Sequence, residues 1–132
     1  MKFHHIGLAV KQIEAEIESY RAIGASDFSP IYDDTVQNVK IIFFMLGGVR
    51  HELVSPLSGK SPVDQYLKKN IRIYHTCYEV EDLEKAIDDL EQAGAMLVLP
   101  PTKAVALENR KVSFLLIKSG DLIELLECSR ES

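Results

Sequence analysis

The chain is an internal repeat, and that fact limits its architecture more than anything else in it. Sliding the 132-residue sequence over itself by seventy positions lays HIGLAVKQIEAEIESYRAIGA over HTCYEVEDLEKAIDDLEQAGA without a gap. His5 falls on His75, Val10 on Val80, Ile17 on Ile87 and Gly24-Ala25 on Gly94-Ala95. An offset of seventy-two then places Gly48 over Gly120, Glu52 over Glu124 and Leu53 over Leu125, so the repeat covers the end of each unit as well as its beginning. A period of this length means one supersecondary unit used twice.

Each unit opens on an apolar or alternating stretch that reads as a strand, at about 3–10 and 73–80. A helix follows, with Ile13, Ile17 and Tyr20 on one face in the first unit and Leu83, Ile87 and Leu90 in the second. Gly24 and Gly94 stand where a helix ends in the left-handed conformation that glycine accepts. Further strands are predicted in VKIIFFML and VRHELVS, and in AMLVL, KVSFLLI and DLIELLE, the last two of each half joined by a tight glycine-containing turn. The fold class expected is α+β: two tandem βαβββ modules, about 1–57 and 72–128, in a single domain spanning 1–132. Between them, SPVDQYLKKN predicts a short linker helix within about 58–71, with Ser61 as N-cap, Pro62 in the first helical position and Asp64 in the first turn. Such a unit has one apolar sheet face that it cannot bury alone. Two units are therefore expected to share a half-open, barrel-like trough with the helices outside, and a ligand is expected in the trough.

The repeat also pairs chemistry. A histidine in the first strand and a glutamate in the last strand recur in both halves: His5 with Glu52, His75 with Glu124. Taken singly, each is an ordinary strand residue, solvated or paired. Recurrence singles them out, because modules related by a pseudo-two-fold axis bring equivalent strands to face one another. Neutral imidazole with carboxylate suits one divalent ion (Zn, Ni, Co, Mn or Fe(II)) and leaves coordination positions open for water or substrate. His4, His51 and Glu127 have no such recurrence and are expected at the surface or the rim.

Composition excludes several other classes. Hydrophobic residues make up 46% of the chain, enough for a real core at this length. The formal charge of -5 and the lack of any Lys/Arg-rich run argue against nucleic acid as a partner. No apolar run approaches the length that spans a bilayer, and the opening MKFHHIGLAV has no small-residue cleavage site, so a cytoplasmic protein without a membrane partner is expected. Cys77 and Cys128 form no C-x-x-C pair and are read as inert thiols.

The segments FHHIGLAV, HELVSPLSGKSPV, YHTCYEVEDLEKAIDDL and NRKVSFLLIKSGDLIELLE, in this order and over nearly the whole chain, resemble the signature segments of the vicinal-oxygen-chelate superfamily, nearest to methylmalonyl-CoA epimerases and glyoxalase-I-like proteins. The resemblance implies His5, Glu52, His75 and Glu124 as ligands of the metal. It further implies a small carbonyl or thioester substrate whose two vicinal oxygens chelate that metal, Glu124 as both ligand and proton-transferring base, and a homodimer. Epimerase-like chemistry returns the α proton to the other face of the same carbon; glyoxalase-type chemistry returns it to the adjacent carbon of a methylglyoxal-thiol adduct. A non-catalytic resistance or binding protein is the reading from another class, and a ring-cleaving dioxygenase fits a two-His, one-carboxylate set rather than this one. The chain departs from the epimerases in two places: at Glu52, where they often have Gln and Glu is the form more familiar from glyoxalases, and ahead of the VKIIFF strand. Their second catalytic glutamate falls just before the VKIIFF-like strand, where DDTVQNVK shows Val36-Gln37, and Asp33 and Asp34 read as solvated loop residues. Finally, PPTKAVALENR, about 100–110, is longer than a hairpin needs. It is expected to close over the trough with Glu108, Asn109 and Arg110 touching substrate.

Overall fold

In the computed structural model, which describes residues 1–129, alternation along the strands that carry His5, Glu52, His75 and Glu124 puts each of these on the face opposite to Leu8, Leu53, Val80 and Leu125 respectively, which pack beneath the helices. The elements run β1 (Lys2–Ala9), α1 (Glu14–Ala22), β2 (Tyr32–Asp34), β3 (Val39–Leu46), β4 (Val49–Pro56), α2 (Asp64–Lys68), β5 (Ile73–Val80), α3 (Leu83–Gln92), β6 (Met96–Ala104), a 3-10 turn (Val105–Leu107), β7 (Arg110–Leu116) and β8 (Leu122–Glu127). The α+β class and the tandem βαβββ modules expected from the repeat are both present. The chain divides into two compact units, one of residues 5–74 and one of residues 1–4 together with the chain from 75 onward.

In the unit of residues 5–74 the strand order is β2-β3-β4-β1. β3 runs antiparallel to both β2 and β4, and β1 lies parallel to β4 with Gly7 opposite Glu52. α1 covers one face: Val10, Ile13, Ile42, Phe44 and Leu53 are buried there, with Ile17, Tyr20 and Phe28 packed against them. Three ring contacts consolidate that core, Tyr20 and Phe28 each lying within about 5 Å of Phe44, and Phe44 stacking on His51 at 5.4 Å. At the far end of this unit Arg72 donates to both carboxylate oxygens of Glu16 (2.8 and 3.0 Å) and to the Tyr20 hydroxyl, which ties the linker to α1.

The other unit repeats the plan in the order β5-β8-β7-β6. β5 is parallel to β8 with Cys77 opposite Glu124, and β7 is antiparallel to both β8 and β6. Val80, Leu83, Ile87, Leu115 and Leu125 form the core beneath α3. Asp82 caps α3 by accepting the Lys85 N–H at 3.0 Å, whereas α1 starts from the buried apolar Ile13 with no side-chain cap. Both helices end alike. Gly24 and Gly94 take positive φ (109° and 98°), and the alanine after each donates back to the carbonyl of Tyr20 or Leu90, the double-bonded C-terminal arrangement that needs glycine at that place.

Four local expectations are corrected. The three-residue strand β2 has no alternating pattern of its own; it exists because Tyr32–Asp34 pairs with Val39–Ile41 of β3. Asp34 is not a solvated loop residue: it is buried, and its carboxylate accepts the N–H groups of Val36 and Gln37 and the Gln37 side-chain amide. α2 begins at Asp64 rather than Pro62, and Ser61 does not cap it with its hydroxyl; instead the Asp64 carboxylate accepts the Ser61 N–H at 2.9 Å. The stretch 100–110 is mostly not a loop, because β6 continues through Pro100 and Pro101 to Ala104, accommodating them by register shifts against β7.

Candidate metal centre

The unit of residues 5–74 brings His5 and Glu52 together. Gly7 is the register partner of Glu52, so His5, two residues earlier on β1, projects on the same side as the Glu52 carboxylate. Both side chains are buried, and His5 Nε2 lies 3.4 Å from Glu52 Oε1. On the neighbouring strand Phe43 stands opposite Glu52, and its ring meets the His5 imidazole edge-on at 5.2 Å.

The other unit builds the same arrangement from its own strands. Cys77 is the partner of Glu124, His75 projects two residues earlier, and His75 Nε2 lies 3.0 Å from Glu124 Oε1, again with both side chains buried. Phe114 stands opposite Glu124 and meets His75 edge-on at 5.1 Å. The repeat is therefore a repeat of triads, His–Glu–Phe. Phe43 and Phe114 escape the sequence reading, although an offset of seventy-one, between the two offsets already in use, aligns them. Each phenyl ring stands roughly perpendicular to its imidazole, at 75° and 82°, and this packing narrows the orientations open to the histidine.

These dimensions suit a metal. Two ligands at about 2.0–2.2 Å from one ion, set 90–110° apart, lie about 3.0–3.4 Å from each other, which is the separation found in both pairs. Each pair, an imidazole nitrogen with a carboxylate, is of a kind that holds zinc or a neighbouring transition metal. Buried carboxylates are rare unless paired or metal-bound.

The other predicted residues divide. Glu108 and Asn109 are exposed and occupy consecutive left-handed positions (φ 59° and 58°), with the Asn109 N–H bonded to the Ala104 carbonyl. Arg110 opens β7 and turns inward: its guanidinium donates to Glu79 Oε2 at 3.2 Å and to the Glu127 carbonyl at 3.4 Å. His4, expected at the surface, is buried, while His51 is half-buried against Phe44. Cys77 and Cys128 are free thiols.

Comparison with known proteins agrees with the architecture. A model of the glyoxalase/bleomycin resistance protein/dioxygenase superfamily matches residues 4–114. The chain is 34% identical over 128 residues to an ethylmalonyl-CoA/methylmalonyl-CoA epimerase of Cereibacter sphaeroides, covering 94% of this chain and 96% of that protein. It is 31% identical to a mitochondrial methylmalonyl-CoA epimerase of Dictyostelium discoideum, covering 96% of this chain and 78% of the relative. Among solved structures, the methylmalonyl-CoA epimerase of Mycobacterium tuberculosis shares the fold with a TM-score of 0.83 at 24% identity, over 98% of this chain and 89% of that one. The chain belongs to the glyoxalase/bleomycin resistance protein/dioxygenase superfamily, as its repeated segments lead one to expect.

Proposed function

We propose that His5, Glu52, His75 and Glu124 together hold one divalent metal ion, and that the chain is an epimerase-like enzyme that moves the proton α to the carbonyl of a coenzyme A thioester. The observation that carries this reading is the matched pair of buried His–Glu contacts, 3.4 and 3.0 Å, at equivalent places in the two halves. The substrate class comes from the epimerase relatives, among them the one named for ethylmalonyl-CoA and methylmalonyl-CoA.

A bound divalent ion supplies Lewis acidity, stabilising the negative charge that develops on the substrate's carbonyl oxygen as the α proton leaves. Glu124 takes that proton on its carboxylate and gives it back. His5 and His75 serve as neutral donors, oriented by the edges of Phe43 and Phe114. The buried setting keeps bulk water away from the carboxylates. Homodimer formation and a cytoplasmic location belong to the same proposal.

One observation favours a second reading, in which a single base returns the proton to the adjacent carbon in the glyoxalase manner. On the ligand-bearing face of β3 the side chains are Val39, Ile41 and Phe43, all buried and apolar, and the Asp34 carboxylate is taken up by its turn. Among the described residues of that unit, no second acid stands on that strand to serve the opposite face of a carbanion. The two readings separate on one experiment: metal-loaded protein is given (2R)-methylmalonyl-CoA and, separately, the methylglyoxal-glutathione adduct in deuterated buffer. Epimer interconversion with deuterium uptake supports the first; lactoyl thioester formation supports the second. Tight ligand binding with neither reaction points to a binding protein instead.

A further inference from the structure

The repeat that aligns the two His–Glu–Phe triads breaks at one place on the same faces, and the break is charged. Along β5, His75, Cys77 and Glu79 share a face; along β7, Arg110, Val112 and Phe114 do. In the other unit the corresponding series are His5, Gly7, Ala9 and Val39, Ile41, Phe43, in the same strand register. Glu79 therefore stands where the sister module has Ala9, and Arg110 where it has Val39, both of which are buried. The fold of a module does not need a charged pair here, because one module is built without it.

Taking two charges out of water is costly even when they are paired, and an apolar pair of suitable size would serve packing as well. Yet Arg110 and Glu79 are held close at 3.2 Å with side chains only 16% and 23% exposed. The arginine is also incompletely used. Its Nη1 serves Glu79 and the Glu127 carbonyl, while the buried Nε has no hydrogen-bond partner among the described residues. A guanidinium offers five donors in a planar fork suited to carboxylate and phosphate. Glu79 fixes one edge of it and leaves the Nε edge for something else.

From this we infer that Arg110, positioned by Glu79, is the anion-recognition residue of the site and contacts a carboxylate or phosphate of the substrate. Arg110 stands four positions before Phe114 on the same face of β7, roughly 13 Å along the strand. The inference rests on the proposed thioester chemistry and deepens it by assigning the residue that selects a charged substrate.

The test is titration calorimetry on the metal-loaded protein with methylmalonyl-CoA, propionyl-CoA and propionyl-pantetheine, a series that loses first the acyl carboxylate and then the phosphates. The variant is the double replacement Glu79→Ala with Arg110→Val, which copies the residues of the sister module and so is expected to fold and to keep its metal; Arg110→Lys is the conservative companion. Wild-type protein is expected to bind one member of the series at least about tenfold more tightly than the next, and the double variant to lose that step while binding the uncharged member unchanged. Arg110→Lys restores part of it. A lost first step identifies the acyl carboxylate as the anion, a lost second step the coenzyme A phosphates. Equal weakening toward all three ligands, or no change in either step, overturns the inference while leaving the thioester reading standing. Wild-type protein that binds none of the three overturns both.

Discussion

His75 Nε2 lies 3.0 Å from Glu124 Oε1, across two parallel strands whose register is fixed by Cys77 and Glu124. In the proposed chemistry this one carboxylate has two tasks, ligation and proton transfer, and they can be separated. Glu124→Gln keeps an oxygen donor of the same length but removes the basic group. Deuterium exchange at the substrate α carbon should fall by about two to four orders of magnitude, with metal affinity falling by no more than about tenfold to a hundredfold. Mass spectrometry of the recovered thioester and metal titration read the two effects independently. Exchange that persists at the wild-type rate assigns the base elsewhere.

Phe114 and Phe43 predict a coupled loss. Each is buried and packs edge-on to a ligand histidine, so Phe114→Ala should lower the stability of the metal-free protein by about 3 kcal/mol or more. Metal affinity should also drop, because the imidazole gains freedom that binding must then remove. Denaturant titration without metal, followed by metal titration below the unfolding range, distinguishes the two. Phe114→Leu should recover most of the stability and less of the affinity.

Asp34 tests the question of a second acid. Its carboxylate accepts three hydrogen bonds in the turn that starts β3, and that is a complete structural role. Asp34→Ala should destabilise by about 2 kcal/mol, whereas proton exchange per folded molecule should stay within about twofold of wild type. A fall of a hundredfold in well-folded protein would instead make Asp34 a participant in the chemistry.

Gly24 and Gly94 end their helices at positive φ. Space is open around Gly24, and only the flexible Lys118 side chain comes near Gly94. The cost of Gly24→Ala is therefore one of backbone conformation, about 1–2 kcal/mol, seen as a lower midpoint in thermal denaturation with metal content unchanged. A neutral result would mean that the chain relaxes out of the left-handed region without loss.

What could be read from the sequence was what the repeat doubles. His5, Glu52, His75 and Glu124 stand out because each has a counterpart, and the helix ends are marked by Gly24 and Gly94 at the same offset. Features present once were harder to see. β2 depends on pairing with β3 and has no period of its own. Asp34 reads as a loop acid because nothing in DDTVQNVK reveals that its carboxylate turns back on Val36 and Gln37. The length of PPTKAVALENR reads as a loop, yet an edge strand tolerates Pro100 and Pro101 where β6 shifts register. Phe43 and Phe114 were legible in principle, but an aromatic residue in an apolar strand carries no chemical signal until a histidine is found against its edge. The break at Ala9/Glu79 and Val39/Arg110 shows as a mismatch in sequence and as a half-buried ion pair only in the structure.

In the proposed centre both His–Glu pairs serve one ion. Protein purified without a metal-binding tag, stripped and reloaded, should hold one divalent ion per chain by inductively coupled plasma mass spectrometry, and His5→Ala and His75→Ala should each, alone, weaken its binding by about a hundredfold or more. Two ions per chain, each lost only with its own histidine, would show that the pairs act separately, and no ion in the reloaded wild type would contradict the metal centre altogether.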